Sequence, residues 1–341
     1  MSQHLNTLAE RMIPVVEHEM REVLALEQKR GDPFFGMMHY HMGWADAELL
    51  PANVNGGKRV RPLLCLLACA AAGGDWVQAV PAAAALELLH NFTLIHDDIQ
   101  DASPTRRGRP TLWQLWGANQ AINSGDAMFA LAHIAMSRLL DRDVPAPIVV
   151  RSLRRLDETC LDLTRGQHAD MDFENRTEVS VEEYLAMIDG KTAALLSLSA
   201  ELGARVARCD ADIVSRFASF GRELGLAFQV RDDILGIWGD EAIIGKSAAT
   251  DIVTRKKSLP ILYGLSRSAQ LRQLYQGDED GTAFVTKAVD LLEDVGARSF
   301  AESYEQRYAS SAIGHLEATQ PQGNAGEALT ELTHSLLNRR V

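Results

Sequence analysis

Two groups of aspartates lie in apolar, helix-like stretches that are more than a hundred residues apart in the chain. The first comprises Asp97, Asp98 and Asp101 in the stretch LIHDDIQD, and the second comprises Asp232 and Asp233 in FQVRDDILG. Asp97 and Asp101 are one helical turn apart and share a face. Buried carboxylates are costly unless they are paired or bind cations, and carboxylates beside phosphates are the usual ligands of Mg²⁺. The pattern predicts that the fold brings both groups together around a strongly charged ligand.

Clusters of cations accompany these aspartates. The stretch KRVR at 58–61 precedes Pro62 at the start of a predicted helix, where the helix dipole disfavours cations and the backbone amides attract phosphate. Alone, it could be a solvated basic turn. The stretch RRGR at 106–109 follows the first aspartates directly, which suggests cations and metal that hold one polyanion. Lys191, in a run of mostly small or apolar residues, could equally reach a ligand or extend to solvent.

The elements that must position these residues have the pattern of a helical protein. Alanine and leucine are frequent, aromatic residues make up 6% of the chain, and we find no strand-like alternation. The stretch 33–55 has a weak pattern, and we expect a partly helical connection there. Apolar residues at helical spacing predict the main helices at 3–29, 63–72, 81–101, 111–140, 148–173, 211–238, 261–275, 282–294, 297–317 and 325–339.

Composition limits the class of protein. The net charge of −12 argues against a nucleic-acid surface, which would need a basic patch. The four cysteines lack zinc-site spacing, and we expect buried thiols. The first ten residues are polar, which does not fit a signal peptide. No apolar run reaches the roughly 18 residues that a membrane helix needs. These features predict a cytoplasmic protein without a membrane span.

In their order along the chain, these motifs resemble the trans-type polyprenyl diphosphate synthases, the family of the bacterial geranylgeranyl and farnesyl diphosphate synthases. The resemblance spans about residues 50–265 and implies a single all-α domain over 1–341, an antiparallel helix bundle around a deep central cavity, usually in a homodimer. The motifs that carry it are GKRVRP at 57–62, DDIQD at 97–101, RRGRP at 106–110, KT at 191–192, FQVRDD at 228–233 and GK at 245–246.

The activity that this resemblance implies is Mg²⁺-dependent head-to-tail (1′-4) condensation of isopentenyl diphosphate with an allylic diphosphate. Three Mg²⁺ ions would be held by the two aspartate groups, which with Lys191 form the implied catalytic set: Asp97, Asp98, Asp101, Asp232 and Asp233. The implied binding residues for isopentenyl diphosphate are Lys58, Arg61, His90 and Arg107. Those for the allylic diphosphate are Arg106, Lys191, Thr192, Gln229, Lys246 and Lys256.

The second aspartate motif departs from the family pattern at one position. Gly236 stands where a third aspartate is common, and Asp240, four residues further on, belongs to the predicted loop after the motif. We expect slower ionisation of the allylic substrate, or one metal ion held more by water, with the activity retained.

The length of the product is expected to depend on residues before the first motif. Phe92 and Leu89 precede Asp97 by five and eight positions, about 7.5 Å and 12 Å along a helix. The resemblance implies that the prenyl tail grows along this wall, and an aromatic residue at 92 followed by the small Thr93 resembles enzymes of the twenty-carbon product. We expect Phe92, Thr93 and Leu89 to form a floor that favours geranylgeranyl diphosphate, although Phe92 could also be ordinary core.

Several alternatives stay open at this point. The product could be farnesyl diphosphate or a longer chain. A class I terpene cyclase also ionises a prenyl diphosphate with an aspartate-rich motif, but it has no second diphosphate for Lys58, Arg61 and Arg107 to hold. A non-catalytic subunit of a heteromeric synthase would not need the intact aspartates.

Overall fold

The computed structural model describes residues 3–25, 32–54, 56–239, 249–277 and 279–337. In these residues the protein is α-helical apart from one short hairpin, as predicted. The first ten helices are α1 (Gln3–Ala25), α2 (Pro33–Met42), α3 (Val60–Ala71), α4 (Val80–Gln100), α5 (Leu112–Trp116), α6 (Ala118–Ser137), α7 (Ala146–Asn175), α8 (Val181–Ile188), α9 (Ala194–Val206) and α10 (Ala211–Trp238).

Shorter elements complete the described chain. The later helices are α11 (Thr250–Val253), α12 (Leu259–Arg267), α13 (Ala269–Gln276), α14 (Gly281–Asp294), α15 (Ala297–Ala318) and α16 (Gly323–Leu337). Strand β1 (Thr105–Arg106) pairs with the antiparallel strand β2 (Arg109–Pro110). A π-helical segment (Asp189–Ala193) joins α8 to α9, and the 3₁₀ turns are Trp76–Ala79 and Arg138–Arg142.

Helices α4 and α10, which carry the two aspartate groups near their C-terminal ends, lie within the packed bundle. α4 packs on α6 and α3, α9 packs between α3 and α10, and α10 also packs on α15. Small residues allow these close approaches: a Cβ at Gly203 would lie 2.3 Å from the carbonyl oxygen of Cys65, and one at Gly221 would lie 2.4 Å from that of Leu196. Because much of α4 and α10 is buried, packing sets the positions of the segments that carry the aspartates.

The helix boundaries differ from the predicted ones where the local chemistry intervenes. The predicted helix at 111–140 is broken at Gly117, which has a φ of +83°. The predicted helix at 261–275 is two helices, because the Ser268 side chain accepts from the Leu271 N–H and starts α13. Pro14 lies inside α1.

The connection expected at 33–55 contains the well-defined helix α2. The Asp32 side chain caps it by accepting from the Phe34 N–H at 2.9 Å, and Gly43 ends it with a φ of +83°. After α2, the chain returns on itself, with the Val54 N–H donating to the Gly43 carbonyl at 3.0 Å. Carbonyl groups of α2 and of the turn after it accept hydrogen bonds from the hairpin of β1 and β2.

None of the described helices is long and apolar enough to cross a membrane. The four cysteines are free thiols; Cys65, Cys69 and Cys160 are buried, as predicted, and Cys209 is half-buried.

Candidate active site

The first aspartate group lies at the C-terminal end of α4. Asp98 is buried and ion-paired with Arg106, whose Nε lies 2.8 Å from its Oδ1. Asp97 is half-buried and Asp101 is exposed. Burial, together with the Asp101 charge, raises the pKa of Asp97 to about 6 against the opposing effect of Lys191. The crowded negative charge at this end of α4 suits a bound cation.

The second group lies near the C-terminal end of α10. Asp233 is buried, and its Oδ2 accepts from the Tyr184 hydroxyl and, at 3.2 Å, from the Leu259 N–H. Its Oδ1 accepts from Nε2 of Gln229 at 3.2 Å. Burial raises the pKa of Asp233 to about 6. Neutral hydrogen-bond donors therefore hold Asp233 in place, whereas Asp232 beside it is half-buried.

Lys256 links the two groups electrostatically. Partial desolvation opposes the charge of this exposed residue, but four carboxylates together raise its pKa, those of Asp233, Asp251, Asp170 and Asp101. Asp101 directly succeeds α4, whereas Asp233 lies on α10. Carboxylates of both aspartate groups therefore act on the charge of Lys256.

The π-helical segment 189–193 carries the Lys-Thr pair. It lies very close to α7: a Cβ at Gly166 would be 2.3 Å from the Lys191 backbone nitrogen, and one at Gly190 would be 2.7 Å from the Asp162 carbonyl oxygen. Only glycine at both positions permits this approach. Single π-turns within α-helices are frequent at functional sites, and this one projects Lys191 and Thr192 onto the cavity wall.

The side chains of this pair are held by neighbouring helices. Lys191 Nζ lies 2.5 Å from Oδ2 of Asp170 on α7. The Thr192 hydroxyl donates to Oε1 of Gln229 on α10 at 2.9 Å. Because Gln229 also donates to Asp233, one hydrogen-bonded chain connects Thr192 to the second aspartate group.

A basic pocket of ≈ 170 Å³ lies beside the start of α3, lined by Lys58, Arg61, His90 and Arg107 among others. Arg61 Nη1 lies 3.2 Å from His90 Nε2. Burial and then the Arg61 charge hold the pKa of His90 well below its ordinary value, so a neutral imidazole accepts from Arg61. Among the described residues, the buried Nε of Arg61 has no hydrogen-bond partner. Anions fit such a pocket.

Arg59, within the same motif, is engaged in ion pairs with acidic side chains. It is 5% exposed, and its guanidinium lies 2.6 Å from Glu17 Oε1 and 2.7 Å from Glu87 Oε1. Its backbone is left-handed, with a φ of +48°. These contacts tie the start of α3 to α1 and α4. The basic stretch 58–61 is therefore not a plain solvated turn.

The second basic stretch forms the hairpin of β1 and β2, which we call the arginine hairpin (residues 105–110). Its turn residues, Arg107 and Gly108, have φ values of +53° and +74°, as a type I′ turn requires. Arg106 reaches Asp98, and the Arg107 guanidinium donates to the carbonyl of Gly56. The hairpin thus has one arginine at the first aspartate group and one at the basic pocket.

A cavity of ≈ 370 Å³ runs along α4 below the first aspartates, with Asp97, Lys191, Thr192, Arg61, Phe92 and Thr93 among its lining residues. The Phe92 ring packs against His96 and Phe129 at centroid distances of 4.8 Å and 5.3 Å. Leu89, expected as part of the floor, is instead completely buried in the main core and does not line this cavity. Of the three residues expected to form the floor, Phe92 and Thr93 line this cavity.

Gly236 is packed against a carboxylate from another part of the chain. A Cβ at Gly236 would lie 2.7 Å from Cγ and from Oδ2 of Asp251. A third aspartate of the motif would therefore have to displace the Asp251 carboxylate and would place a second negative charge beside it. The sequence did not point to Asp251 or to Tyr184, because neither lies in a motif. Lys246 and Asp240 lie outside the described residues.

The donor set fits Mg²⁺ in the way that it binds beside phosphates. No group of three or more His, Cys, Asp or Glu side chains in the described part of the chain converges on one point. Mg²⁺ typically takes one or two carboxylates and completes its shell with water and substrate phosphate oxygens. Asp97 and Asp101 on one side and Asp232 on the other are carboxylates of this kind, and burial raises the pKa of Asp97 although Lys191 and Arg106 oppose the shift.

Comparisons with known proteins agree with this geometry. Residues 47–292 match the polyprenyl synthetase family. The chain is 38% identical over 346 residues to the (2E,6E)-farnesyl diphosphate synthase of Mycobacterium tuberculosis, covering 98% of this chain and 95% of the relative. It is 43% identical over 297 residues to that organism's geranylgeranyl diphosphate synthase, covering 86% and 83%.

A solved structure is similar over nearly the whole chain. The polyprenyl synthetase from Streptomyces coelicolor A3(2) superposes with a TM-score of 0.88 at 34% identity, covering 98% of this chain and 99% of that one. The helical architecture and the ordered motifs therefore have one explanation: the chain belongs to the polyprenyl synthetase family and is a short-chain prenyl diphosphate synthase, a prenyltransferase.

Proposed function

We propose that this enzyme is a Mg²⁺-dependent geranylgeranyl diphosphate synthase that adds isopentenyl diphosphate head-to-tail to an allylic diphosphate. The observation that carries the proposal is the ≈ 370 Å³ cavity, which has Asp97 and Lys191 beside it and Phe92 on its wall. Such a cavity suits a substrate with a charged head and an apolar tail of limited length.

The two diphosphates would occupy neighbouring basic regions. The pocket of Lys58, Arg61, His90 and Arg107 would hold isopentenyl diphosphate, because it combines three cations with the unpartnered Nε of Arg61. Lys191, Thr192 and Gln229 form a polar wall beside the aspartates. With Arg106, Lys256 and the predicted Lys246, they would hold the allylic diphosphate.

The residues of the site would favour cleavage of the allylic carbon–oxygen bond. Cations aimed at the departing diphosphate stabilise the charge that develops in the transition state. When bound between the aspartate groups, Mg²⁺ would neutralise the same oxygens as a Lewis acid. Lys191 keeps its orientation because Asp170 holds its ammonium group at 2.5 Å. This is the role that we propose for the pair of Lys191 and Asp170.

The later steps need a dry cavity and a base. The double bond of isopentenyl diphosphate attacks C1′ of the allylic cation, a new C1′–C4 bond forms, and one proton is lost to the departing diphosphate. The apolar wall of Phe92, Leu163 and Leu195 keeps water from the cation. No side-chain nucleophile is required.

Phe92 supports a twenty-carbon product. It lies on the cavity wall with Phe129 behind it at 5.3 Å, so a growing tail would meet two layers of aromatic carbon. The relatives are named for both farnesyl and geranylgeranyl products, and farnesyl diphosphate or a longer chain is therefore the alternative product.

A product assay tests the proposal. The purified enzyme is incubated with Mg²⁺, isopentenyl diphosphate and each of the five-, ten- and fifteen-carbon allylic diphosphates, and the products are identified by mass. We expect mainly the twenty-carbon diphosphate, and longer products from Phe92→Ala. Products that stop at fifteen carbons would contradict the proposed product, hydrocarbons or alcohols would indicate a cyclase, and no turnover would indicate a non-catalytic subunit.

We further propose a homodimer built on α6 and α7, with one domain over residues 1–341 in each subunit. Both helices expose large apolar side chains, which are Ile122, Ile134, Val150, Leu161 and Met171. Light scattering after size-exclusion chromatography would test this: we expect twice the mass of one chain, and a monomer from Leu161→Glu. The cytoplasmic location stays a prediction from the sequence.

A further inference from the structure

The arginine hairpin has no sheet behind it. Each strand has two residues, and within the described chain they pair only with each other. An isolated two-stranded hairpin is marginally stable in water, yet this one carries Arg106 and Arg107 at the site. Contacts from elsewhere in the fold must therefore fix the positions of these arginines.

Those contacts come from α2 and the turn after it. The Arg109 guanidinium carbon lies 3.8 Å from the centre of the Tyr40 ring, a cation–π contact. Its Nη1 donates to the Tyr40 carbonyl at 3.0 Å and its Nη2 to the Ala45 carbonyl at 2.8 Å. In return, the Tyr40 hydroxyl donates to the Pro110 carbonyl at 2.8 Å. We call this set of contacts the Tyr40 clasp.

Helix α2, which carries Tyr40, is itself held in place by contacts with other parts of the chain. Gly43 ends α2 in a left-handed conformation, and a Cβ there would lie 2.7 Å from the carbonyl oxygen of Val54. The Tyr40 ring also packs edge-on against Trp116 at 5.2 Å. Both sides of Tyr40 are therefore occupied, and its ring offers a fixed surface to Arg109.

The two functional arginines depend on the clasp to different degrees. Arg106 has its own anchor, the buried carboxylate of Asp98 at 2.8 Å. Arg107 lies at the exposed turn, where it donates to the carbonyl of Gly56, a main-chain group of the neighbouring loop. A hairpin released from α2 would therefore displace Arg107 more than Arg106.

We propose that Tyr40 and Arg109 are positioning residues that hold Arg107 in the basic pocket and thereby determine the affinity for isopentenyl diphosphate. The inference rests on the proposed function of that pocket. Neither residue lines the basic pocket. They act through the hairpin, because small displacements of a charged group sharply reduce its interaction with a bound anion.

Steady-state kinetics on full-length variants test the inference. Arg109→Gln and Tyr40→Leu should each raise KM for isopentenyl diphosphate about tenfold, while KM for the allylic diphosphate and kcat at saturation stay within about twofold. Tyr40→Phe keeps the ring and should restore most of the affinity. The matched control is Arg21→Gln, which removes another cation–π contact of the same region, Arg21 over Trp44 at 4.2 Å, and should leave both KM values unchanged.

Calorimetric titration with inorganic diphosphate provides a readout that does not need turnover. Wild-type turnover tests the proposed function, whereas the difference between wild type and variant in diphosphate affinity tests the clasp. We expect about tenfold weaker binding by Arg109→Gln and Tyr40→Leu. Unchanged affinity in Arg109→Gln would overturn the inference, as would an equal loss for both substrates accompanied by a lower melting temperature.

Discussion

The two aspartate groups each contain one buried carboxylate, and the two are stabilised in different ways. Asp98 on α4 is 2% exposed and lies against a full positive charge, the guanidinium of Arg106. Asp233 on α10 is 1% exposed, and its oxygens accept from the neutral Tyr184 hydroxyl, the Gln229 amide and the Leu259 N–H. The first carboxylate is ion-paired with a guanidinium, whereas the second is oriented by neutral donors and is acted on by the charge of Lys256.

This difference indicates how each side of the site would respond to a cation. Neutral donors fix the geometry of a carboxylate but leave its charge in place. Burial raises the pKa of Asp233 to about 6, although the charge of Lys256 opposes this shift. A metal ion or a lysine near α10 would therefore offset the negative charge of Asp233, which the neutral hydrogen bonds leave in place. Four substitution experiments test the difference between the two aspartate groups.

The largest effect is expected from substituting Asp97 and Asp232, the half-buried aspartates that precede the buried one in each group. Asp97→Asn and Asp232→Asn should each lower kcat by roughly 10²- to 10³-fold, because each removes stabilisation of the leaving group's charge. Asp97→Asn should be the more severe, since it removes a member of the Asp97–Asp101 pair. Steady-state assays at saturating Mg²⁺ check this. Asp212→Asn, an exposed aspartate at the start of α10, is the control, and a loss there as large would contradict the assignment.

Arg106→Gln should destabilise the fold, because it leaves Asp98 buried without its cation. We expect a loss of about 2–3 kcal/mol in the free energy of unfolding, below the range for fully buried pairs because the Arg106 side chain is 31% exposed. Urea unfolding measures it. Adding Asp98→Asn should recover most of the loss, and a double variant no more stable than Arg106→Gln would show that the pair is not the cause.

Gly236→Asp should weaken the protein although it restores the common family residue. Its Cβ would lie 2.7 Å from the carboxylate of Asp251, and a second negative charge would be added there. We expect a loss of about 2 kcal/mol in unfolding free energy and no gain in kcat. Gly314→Asp, on α15 with nothing within 4 Å of its Cβ, is the control. A more stable or faster Gly236→Asp enzyme would refute this explanation of the glycine.

Tyr184→Phe should have the smallest effect of the four. It keeps the buried ring and removes one of the donors to Asp233, which should cost about 1 kcal/mol of unfolding free energy. Thermal unfolding without Mg²⁺ measures the loss of the hydrogen bond to Asp233. The same measurement with Mg²⁺ tests the effect of a cation, and we expect Mg²⁺ to offset part of the loss. If the loss equalled that of Arg106→Gln, the distinction between the two groups would not hold.

The all-α fold and the positions of the motifs could be predicted because they depend on local signals. Apolar periodicity marks α4 and α10, and α10 spans Ala211–Trp238, which are its predicted limits. That both aspartate groups serve one site is a prediction that follows from the cost of burying carboxylates unpaired.

Other features were not predictable because they depend on contacts between distant segments. Nothing local distinguishes Leu89, buried in the core, from Phe92 on the cavity wall; packing by neighbouring helices decides it. Tyr184 and Asp251 lie outside every motif, and their proximity to α10 is tertiary. The limits of helix α2 within the predicted partly helical connection could not be given, since its ten residues, PFFGMMHYHM, are apolar on most sides and show little periodicity.

The π-helical segment between α8 and α9 also sets the rotation of one helix relative to the other. Its backbone bonds run from residue i to i+5, so it contains an extra residue relative to an α-helix and shifts the angular phase of α9 by roughly 100°. The extra residue thus lets α8 and α9, although they are consecutive helices, turn different faces toward their neighbours. Deleting one residue from 189–193 would leave a longer uninterrupted helix, but α9 would then present the wrong face to α3 and α10.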